Sequence, residues 1–390
     1  MSVEGEDGQA GAAGPLQGLR VLDLSTVIAG PTVARYLADF GADVIKVERP
    51  EGDSLRNMAW RDPRDGTGLW WKFANRNKRC VVLDLKEPAD HAVLLHLVEQ
   101  AHVLVENFRP GTLERLGLAP ELLLERNPSL VITRVTGFGQ TGPYAARPGF
   151  ASIAEAMSGY AAIAGDPDGP PLLPPIALTD EVTGLVGAFA TLVALHAGVG
   201  QVVDVNLLES LFQLMGPLIS VYRLTGELQG RLGAGIPYTV PRGTYRTSDH
   251  HWVAVSTSSD SVAARVMELV GVAHDPRYRT FAGRVEHRTE LDQVVADWIG
   301  ARTRTEVLAA FDAAEAAIAP VMDMAAIAAD PHVAARGAIA ELEGTPMQGL
   351  VAHLSATPGR LRWSGRPVDA DGEQIRAHGW ERPQEAGAEG

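Results

Sequence analysis

The sequence predicts an α/β fold, with a Rossmann-like parallel sheet in a large domain and a smaller α+β domain beside it in the chain. Short apolar segments alternate with helical patterns as far as residue 138, which is typical of parallel strands with helices on both faces. The chain has 390 residues, more than one ordinary core accommodates, so two domains are expected. Beyond residue 210 the alternation ends, and a Gly/Pro-rich linker leads into a hairpin pattern.

The alternating region resolves into five strands joined by helices. The first helix has Pro31 at its first position, where proline is favoured, and it ends at Gly41. Helical patterns over Pro88–Gln100 and Thr112–Arg126 join later strands. The predicted strands are Leu19–Ser25, Asp43–Glu48, Cys80–Leu85, His102–Phe108 and Ser129–Phe138. Ligands of such sheets bind at the carboxyl ends of the strands, so the loops that follow the strands are candidate binding loops.

Changes in composition predict the domain boundaries. Residues 1–17 are small and polar and are expected to form a disordered tail, and residues 381–390 a loose one. Residues 18–224 are assigned to the large domain, residues 225–330 to the small domain, and residues 331–380 to a return into the large domain. Leu211–Leu228 is expected to be helical, Arg231–Gly243 to be a linker, and Tyr245–Ser256 to be a hairpin.

Composition and charge exclude several functional classes. A formal net charge of −14 argues against nucleic acids and membrane surfaces as partners, since both need a basic face. The single cysteine, Cys80, allows no internal disulfide, and the acidic start lacks the order of a signal peptide, so a cytoplasmic location is expected. Scattered histidines predict no metal site, and no G-x-G-x-x-G motif follows the first strand, so neither a nicotinamide nor a flavin is expected.

One carboxylate, Asp180, lies between a proline-rich approach and an almost uniformly apolar helix. A helix without a polar face is expected to be buried in a core, and Gly184, Gly187 and Ala188 are small enough for another backbone to approach closely. The run is interrupted by Gly, Thr and His, so it is not expected to span a bilayer. Taken alone, the position of Asp180 fits either a helix cap or a catalytic acid.

Basic residues gather around the carboxyl edge of the predicted sheet, where they are expected to converge on one rim, although the chain as a whole is acidic. Arg49 follows the second strand, the run Asn75–Arg79 precedes the third, and Arg109 follows the fourth, with Arg115 one turn into the next helix. Each residue alone fits an ordinary solvated charge. As a set they favour a ligand with several phosphate groups.

Several co-linear segments then carry a resemblance to a known family. They include GLRVLDLSTVIAGP from residue 18, NRNKRCVVLDLK from residue 75, VLVENFRPGTLERLGL from residue 103 and ALTDEVTGLVGAFATLVAL from residue 177. With further segments they cover most of residues 18–340. The chain resembles the class III CoA-transferases of the CaiB/BaiF type, a group that includes formyl-CoA transferase, carnitine CoA-transferase and the α-methylacyl-CoA racemases.

The resemblance implies an architecture and a set of site residues. It implies a homodimer of two interlocked rings, with CoA or an acyl-CoA as substrate, a small carboxylic acid as the other partner, and no metal. It places the catalytic nucleophile at Asp180. The catalytic interpretation of this residue is therefore favoured over the helix-cap interpretation, although one residue can serve as both. The implied CoA contacts are Val27, Ile28, Ala29, Arg49, Asn75, Lys78, Arg79, Asn107, Phe108, Arg115, Gly137 and Phe138.

The activity implied by the resemblance is transfer of CoA from an acyl-CoA thioester to a free carboxylic acid. A mixed aspartyl anhydride and then an aspartyl-CoA thioester would be the covalent intermediates. Two features depart from formyl-CoA transferase: the glycines of Gly230–Pro237 alternate rather than run consecutively, and Ile28 replaces a polar residue that contacts substrate. The identity of the acyl group and of the acceptor acid stays open.

Three alternatives to transfer remain. A 2-methylacyl-CoA racemase or epimerase on the same fold would need two bases on opposite faces of the α-carbon. In the racemase branch a histidine follows the glycine that corresponds to Gly149, but this chain has Phe150, and Ser259 stands where that branch has a glutamate, with Asp260 one position off. A CoA-binding protein without turnover is the second alternative. Cys80 as a thiol nucleophile is a poor third, because it lies within a predicted buried strand.

Overall fold

The computed structural model describes residues 14–381 and contains a sheet of six parallel strands. Five of them are the strands that the sequence predicts. The second has the predicted bounds, and the first, fourth and fifth are shorter than predicted by a few residues. The third begins two residues before its predicted start and ends three residues before its predicted end. The strands are β1 (Arg20–Asp23), β2 (Asp43–Glu48), β3 (Lys78–Val82), β4 (Val103–Glu106), β5 (Val131–Thr136) and β6 (Gln201–Asn206). The sixth strand was not predicted. It pairs with β5 from Val131↔Gln201 to Thr136↔Asn206.

The strand order is β3-β2-β1-β4-β5-β6, which is that of a doubly wound Rossmann-like sheet. The order of the strands reverses between β1 and β4, so the loops that follow these two strands diverge and leave a crevice. The architecture therefore directs attention to the carboxyl ends of β1 and β4.

Helices join these strands and make up much of the remaining described chain. In chain order they are α1 (Ala29–Asp39), α2 (Leu69–Ala74), α3 (Pro88–Gln100), α4 (Thr112–Arg115), α5 (Pro120–Arg126), α6 (Ala151–Met157), α7 (Tyr160–Ile163), α8 (Leu178–Ala197), α9 (Leu207–Gln213), α10 (Leu218–Thr225), α11 (Asp260–Leu269), α12 (Phe281–Glu286), α13 (Arg288–Gly300), α14 (Arg304–Ala313), α15 (Met324–Ala329), α16 (Pro331–Ala335) and α17 (Gly372–His378). Short 3₁₀ turns lie at Ser54–Asn57 and Pro276–Tyr278.

Side chains that alternate along each parallel strand enter two separate cores. On β1, Val21 packs with α1 and α8 on one face, whereas Leu22 packs with α3 and α5 on the other. Val44 and Ile45 on β2 divide in the same way. The near-continuous apolar strands of the sequence thus reflect a sheet that is buried on both faces.

The helix α8 corrects one expectation, because only its small residues are buried within the described chain. Gly184 and Gly187 lie directly against α1: a Cβ on Gly184 would lie 2.4 Å from Thr32 Cγ2, and one on Gly187 2.7 Å from Val33 Cγ2. Thr191 packs on β5, with its hydroxyl 2.6 Å from Thr133 Oγ1. The large apolar side chains lie on the opposite face and are 37–69% exposed: Leu185, Val186, Phe189, Leu192 and Val193.

By length and composition alone, α8 could cross a membrane, since its mean hydropathy reaches 1.5. The core helix of a globular domain passes the same test, and the buried face of α8 packs on α1 and β5. We therefore describe α8 as a helix of the large unit.

The chain divides into two compact units. Among the described residues, the larger comprises residues 14–158, 174–214 and 335–381, and the smaller comprises residues 159–173 and 215–334. The boundaries thus fall at 214 and 335 instead of 224 and 331, and residues 159–173 belong to the smaller unit. Of the tail predicted at 1–17, residues 1–13 lie outside the described residues, but Leu16 is ordered because its amide donates to Phe40 O at 3.0 Å. Residues 382–390 also lie outside them.

The smaller unit contains a three-stranded antiparallel sheet of β7 (Arg242–Arg246), β8 (Trp252–Ser256) and β9 (Ile318–Pro320). The predicted hairpin is confirmed, with Tyr245 opposite Val253, although β7 begins within the predicted linker. Helices α11, α13 and α14 pack on this sheet through a core that includes Val266, Val295 and Phe311.

The end of the chain returns to the larger unit. Strands β10 (Ile339–Leu342) and β11 (Thr345–Gln348) form a hairpin, and α17 follows. The Asp371 carboxylate accepts from Cys80 N at 2.9 Å, and the Trp380 indole donates to Leu97 O at 3.0 Å. These contacts join the end of the chain to β3 and to α3.

The contact between α8 and α1 gives a testable prediction. We expect Gly184→Ala to lower the free energy of unfolding by about 1–3 kcal/mol, because the new methyl group overlaps Thr32 in a packed interface. Gly300→Ala is the matched control, since a Cβ there meets nothing closer than Arg246 O at 3.7 Å and alanine favours helix. Thermal and urea unfolding of both variants check this, and equal stabilities would contradict the close approach.

Candidate active site

The loops that flank the crevice between β1 and β4 are joined by a reciprocal pair of hydrogen bonds. Thr26 N donates to Asn107 Oδ1 at 2.8 Å, and Asn107 Nδ2 donates to Thr26 O at 2.7 Å. Each residue lies in the loop just after its strand. The side chain of Asn107 therefore acts as a backbone mimic that joins the two loops at the carboxyl edge of the sheet.

The loop after β1 turns sharply into α1. Val27 has a left-handed backbone, with φ of 65°, which is costly for a β-branched residue and marks a constrained site. Its amide faces Asp53 Oδ1 at 3.4 Å. Gly30 follows in the first turn of α1, where a Cβ would lie 2.3 Å from Ser25 Cβ, so only glycine fits. Val27, Ile28 and Ala29 are thereby presented at the crevice.

Asp180 enters the same crevice from α8, two residues after Leu178 begins the helix. Ala177 is the N-cap residue and no side chain caps this end of the helix, so the cap interpretation of Asp180 is wrong. The adjacent Thr179 donates to Glu155 Oε1 at 2.9 Å, and both side chains are buried. This bond ties α6 to the first turn of α8 and fixes the direction in which Asp180 leaves the helix.

One cavity of about 260 Å³ brings Asp180 together with most of the predicted strand-end contacts. Among the described residues that line it, Asp180 is the only carboxylate and Arg109 and Arg147 are the only cations. None of these lining residues is a histidine. The predicted site residues that line it are Val27, Ile28, Ala29, Asn107, Phe108, Gly137 and Asp180.

The environment of Asp180 favours a protonation change near neutral pH. Burial, followed by the negative charges of Glu155 and Glu181, raises the pKa of Asp180 to about 6. Among the described residues no hydrogen-bond donor lowers it. At pH 7 a carboxyl group with this pKa is mostly an anion.

A second cavity of about 440 Å³ lies at the carboxyl ends of β2 and β3 and shares Thr26 and Phe108 with the first. Arg49 lines it and is largely exposed, with a weak contact to Glu51 at 3.7 Å. Lys86 lines it as well and was missed. The signal was available, since Lys86 lies in the loop after the third predicted strand and follows the same rule as Arg49.

Asn75 and Lys78 lie beneath the loops and line neither cavity. The Lys78 ammonium is fully buried and donates to Asp23 Oδ2 at 2.8 Å, to Pro31 O at 2.8 Å and to Asn75 Oδ1 at 3.1 Å. Burial lowers the pKa of Lys78 to about 8 against the attraction of Asp23. In this structure both residues support, from below, the loop that leads into α1.

Arg79 lies near the amino end of β3, because the run Asn75–Arg79 precedes and opens this strand. Its guanidinium pairs with Asp43 Oδ2 at 2.7 Å and also donates to Gln374 and to Trp380 O. The expectation that this residue joins the cations at the carboxyl edge is therefore wrong. A residue before a parallel strand lies at the opposite edge from one that follows it.

Arg115 and Phe138 also lie outside both cavities. Arg115 is exposed on α4 and donates to Thr112 Oγ1 at 2.7 Å. Phe138 packs edge-on against Tyr144, with ring centroids 5.9 Å apart. Its neighbour Gly137 does line the first cavity, and its Cα is so close to Gly149 that a Cβ on either residue would lie 2.6 Å from the other.

The positions that bear on the racemase alternative supply no second base. Phe150 lines the cavity and is 68% exposed. Within the smaller unit, Ser259 caps α11 by accepting from Val262 N, and Asp260 pairs with Arg284 at 2.7 Å. The Cys80 thiol is fully buried, which raises its pKa to about 12 and makes it unsuitable as a nucleophile.

Comparisons with known proteins place this architecture among enzymes that transfer coenzyme A. The family model described as CoA-transferase family III matches residues 16–371. The chain therefore belongs to CoA-transferase family III, as its segments suggested.

Individual relatives extend over almost the whole chain. It is 39% identical over 374 residues to a succinyl-CoA–D-citramalate CoA-transferase of Chloroflexus aurantiacus, with 93% of each chain covered. It is 36% identical over 377 residues to a succinate–glutarate CoA-transferase of Agrobacterium fabrum, covering 92% of this chain and 93% of the relative. Among solved structures, a CaiB/BaiF family protein from Brucella suis superposes with a TM-score of 0.83 at 30% identity, covering 94% of this chain and 99% of that one.

The raised pKa of Asp180 predicts a pH dependence of stability. In the unfolded chain the carboxyl titrates near 3.8, so between about pH 4 and pH 6 the native protein binds more protons than the unfolded chain. The contribution of Asp180 to the free energy of unfolding therefore falls as the pH rises through this window. We expect Asp180→Asn to gain stability relative to the wild type at pH 7.5 and to gain less at pH 4.5. Urea unfolding at both values checks this, and an equal difference at the two values would contradict the raised pKa.

Proposed function

We propose that this enzyme moves CoA from a dicarboxylic acyl-CoA, such as succinyl-CoA, to a second dicarboxylic acid. The observation that carries the mechanism is the environment of Asp180: a carboxylate with a raised pKa, and with no donor among the described residues, in a cavity at the switch point of the sheet. The substrate class is supported by the relatives, whose names pair succinyl-CoA with citramalate and succinate with glutarate. All of these acids carry two carboxylates.

The proposed reaction needs a nucleophile but no general base. An Asp180 oxygen attacks the thioester carbonyl, the C–S bond breaks, and a mixed anhydride and CoA thiolate form. The thiolate sulfur then attacks the aspartyl carbonyl, the C–O bond to the acyl group breaks, and the first acid leaves as a carboxylate. The acceptor carboxylate attacks the enzyme–CoA thioester and runs the two steps in reverse. No proton moves in any step, so a cavity without histidine suits this chemistry.

The two connected cavities suit the two ends of an acyl-CoA. We place the thioester beside Asp180 in the first cavity, and the phosphorylated end in the second, near Arg49 and Lys86. The shared residues Thr26 and Phe108 would contact the portion between them. Asn75 and Lys78 would act on this site indirectly, by supporting the loop that carries Val27.

Racemisation on the same fold is not favoured. It requires bases on both faces of the α-carbon, and the cavity offers Asp180 alone among its described lining residues. Phe150 lies in the cavity and cannot accept a proton.

A nucleophilic role for Asp180 predicts a defined loss of function. Asp180→Asn should abolish transfer from succinyl-CoA to glutarate, because an amide cannot form the anhydride, while CoA binding should persist. Mass spectrometry after treatment with succinyl-CoA and hydroxylamine should find a hydroxamate at Asp180 in the wild type only. Glu155→Gln is the matched control, since it keeps an acceptor for Thr179 and should retain turnover. Transfer by a folded Asp180→Asn protein would refute the mechanism.

We also propose that two chains assemble into a homodimer. The face of α8 that carries Leu185, Phe189 and Val193 is about half exposed or more, which is a large apolar area for a monomer to present to water. A second copy would cover this face at the concentrations used for assay. Light scattering during size exclusion should give twice the mass of the chain, and Phe189→Asp together with Val193→Asp should shift the mass towards that of one chain. A monomeric wild type would rule out the dimer.

A further inference from the structure

The first cavity contains a cation that the transfer chemistry does not use. The reacting atoms of anhydride formation require Asp180. Arg109 directly follows Phe108, which lines both cavities, so we assign Arg109 to the CoA portion that lies between them. Arg147 lies on a different loop, between β5 and α6, and lines the cavity with Phe150 and Asp180.

The guanidinium of Arg147 stacks on the ring of Tyr144. Its guanidinium carbon lies 3.9 Å from the centroid of the Tyr144 ring, and Tyr144 packs edge-on against Phe138. Such a stack holds an arginine in place without neutralising it. Arg147 is exposed, and among residues 14–381 no carboxylate forms an ion pair with it, so its charge is available to a ligand.

The loop that carries Arg147 is anchored at several points. Gly139 N donates to Thr136 Oγ1 at 2.9 Å, and Gln140 N donates to Asp204 Oδ2 at 2.8 Å. At the far end Gly149 packs on Gly137, and α6 begins at Ala151. Helix α6 in turn carries Glu155, which is bonded to Thr179 beside Asp180. A continuous set of contacts therefore relates the position of Arg147 to that of the nucleophile.

We infer that Arg147 is a specificity-determining residue that binds the distal carboxylate of the dicarboxylic substrate. This inference rests on the proposed function. A dicarboxylic acid that reacts at one end keeps a full negative charge at the other through every step, and that charge enters a cavity that already contains Asp180. A guanidinium can accept it with two parallel hydrogen bonds, whereas a monocarboxylic acid gains nothing from the same group.

The test is a competition between two acceptors of equal length. Wild-type enzyme with succinyl-CoA is given glutarate and an excess of valerate together, and the ratio of glutaryl-CoA to valeryl-CoA is measured by mass spectrometry. Because both acceptors meet the same enzyme–CoA intermediate, any effect on the donor cancels in this ratio. Arg147→Met should lower the ratio by about 10- to 100-fold, the usual range for losing a hydrogen-bonded charge pair. Arg147→Lys should restore part of it, since the charge remains.

Arg109→Met is the matched control from the same cavity. It should slow transfer to both acids and leave the ratio unchanged, because we assign it to the CoA end. An unchanged ratio in Arg147→Met with active wild type would overturn the assignment and leave the transferase function intact, as would a change of ratio in Arg109→Met alone. If the wild type forms neither thioester while CoA binds, the proposed function itself fails.

Discussion

The close packing of α8 on α1 is the constraint on which the site depends. α1 begins at the loop after β1, and α8 carries Asp180 in its first turn, so the distance between these helices sets the distance between Asp180 and the loop. Glycines at 184 and 187 allow this approach. Next to Asp180, Glu181 pairs with Arg35 of α1 at 2.7 Å, and this pair fixes the rotation of α8 as well as its position. Isolated ion pairs add little stability, but one beside a packed interface adds specificity.

Beneath the loops, a buried polar network supports the same geometry at a cost in desolvation. Asp23, Lys46 and Lys78 are fully buried, and Lys46 also lies 3.3 Å from Asp53 Oδ2. Replacing one partner of such a network would leave a buried charge unpaired, which is strongly destabilising. Lys78 donates to Pro31 O in α1, and Asp53 faces the strained Val27 amide. The network therefore acts as a rigid base for a loop that would otherwise relax.

The sequence predicted much of the fold because strand burial and helix periodicity are local properties. It placed Asn107 and Arg49 at the carboxyl edge because the residues that follow parallel strands must share one edge. Asp180 was singled out by its place at the start of an apolar helix and by the family resemblance. It misplaced Arg79 because this residue opens a strand instead of following one, and the position of Arg115 depends on a side-chain rotamer that no pattern encodes. The strand β6 was missed because QVVDVN has polar residues at Gln201 and Asp204, which suit an edge strand that is half exposed. The burial of Lys78 depends on long-range contacts with Asp23 and Pro31.

The two faces of α8 explain why a helix with no polar face need not be buried all round. Apolar residues stabilise a fold in proportion to the area they bury, and the large side chains of α8 bury only part of theirs within the described chain. Its small face instead gives proximity, since glycine and threonine let α1 and β5 approach and so position Asp180. A hydropathy pattern averages these two functions and predicts a core helix. One face of α8 has small residues and positions Asp180, and the other has large apolar residues that are partly exposed. These two faces can be told apart only when residue size is considered together with hydrophobicity.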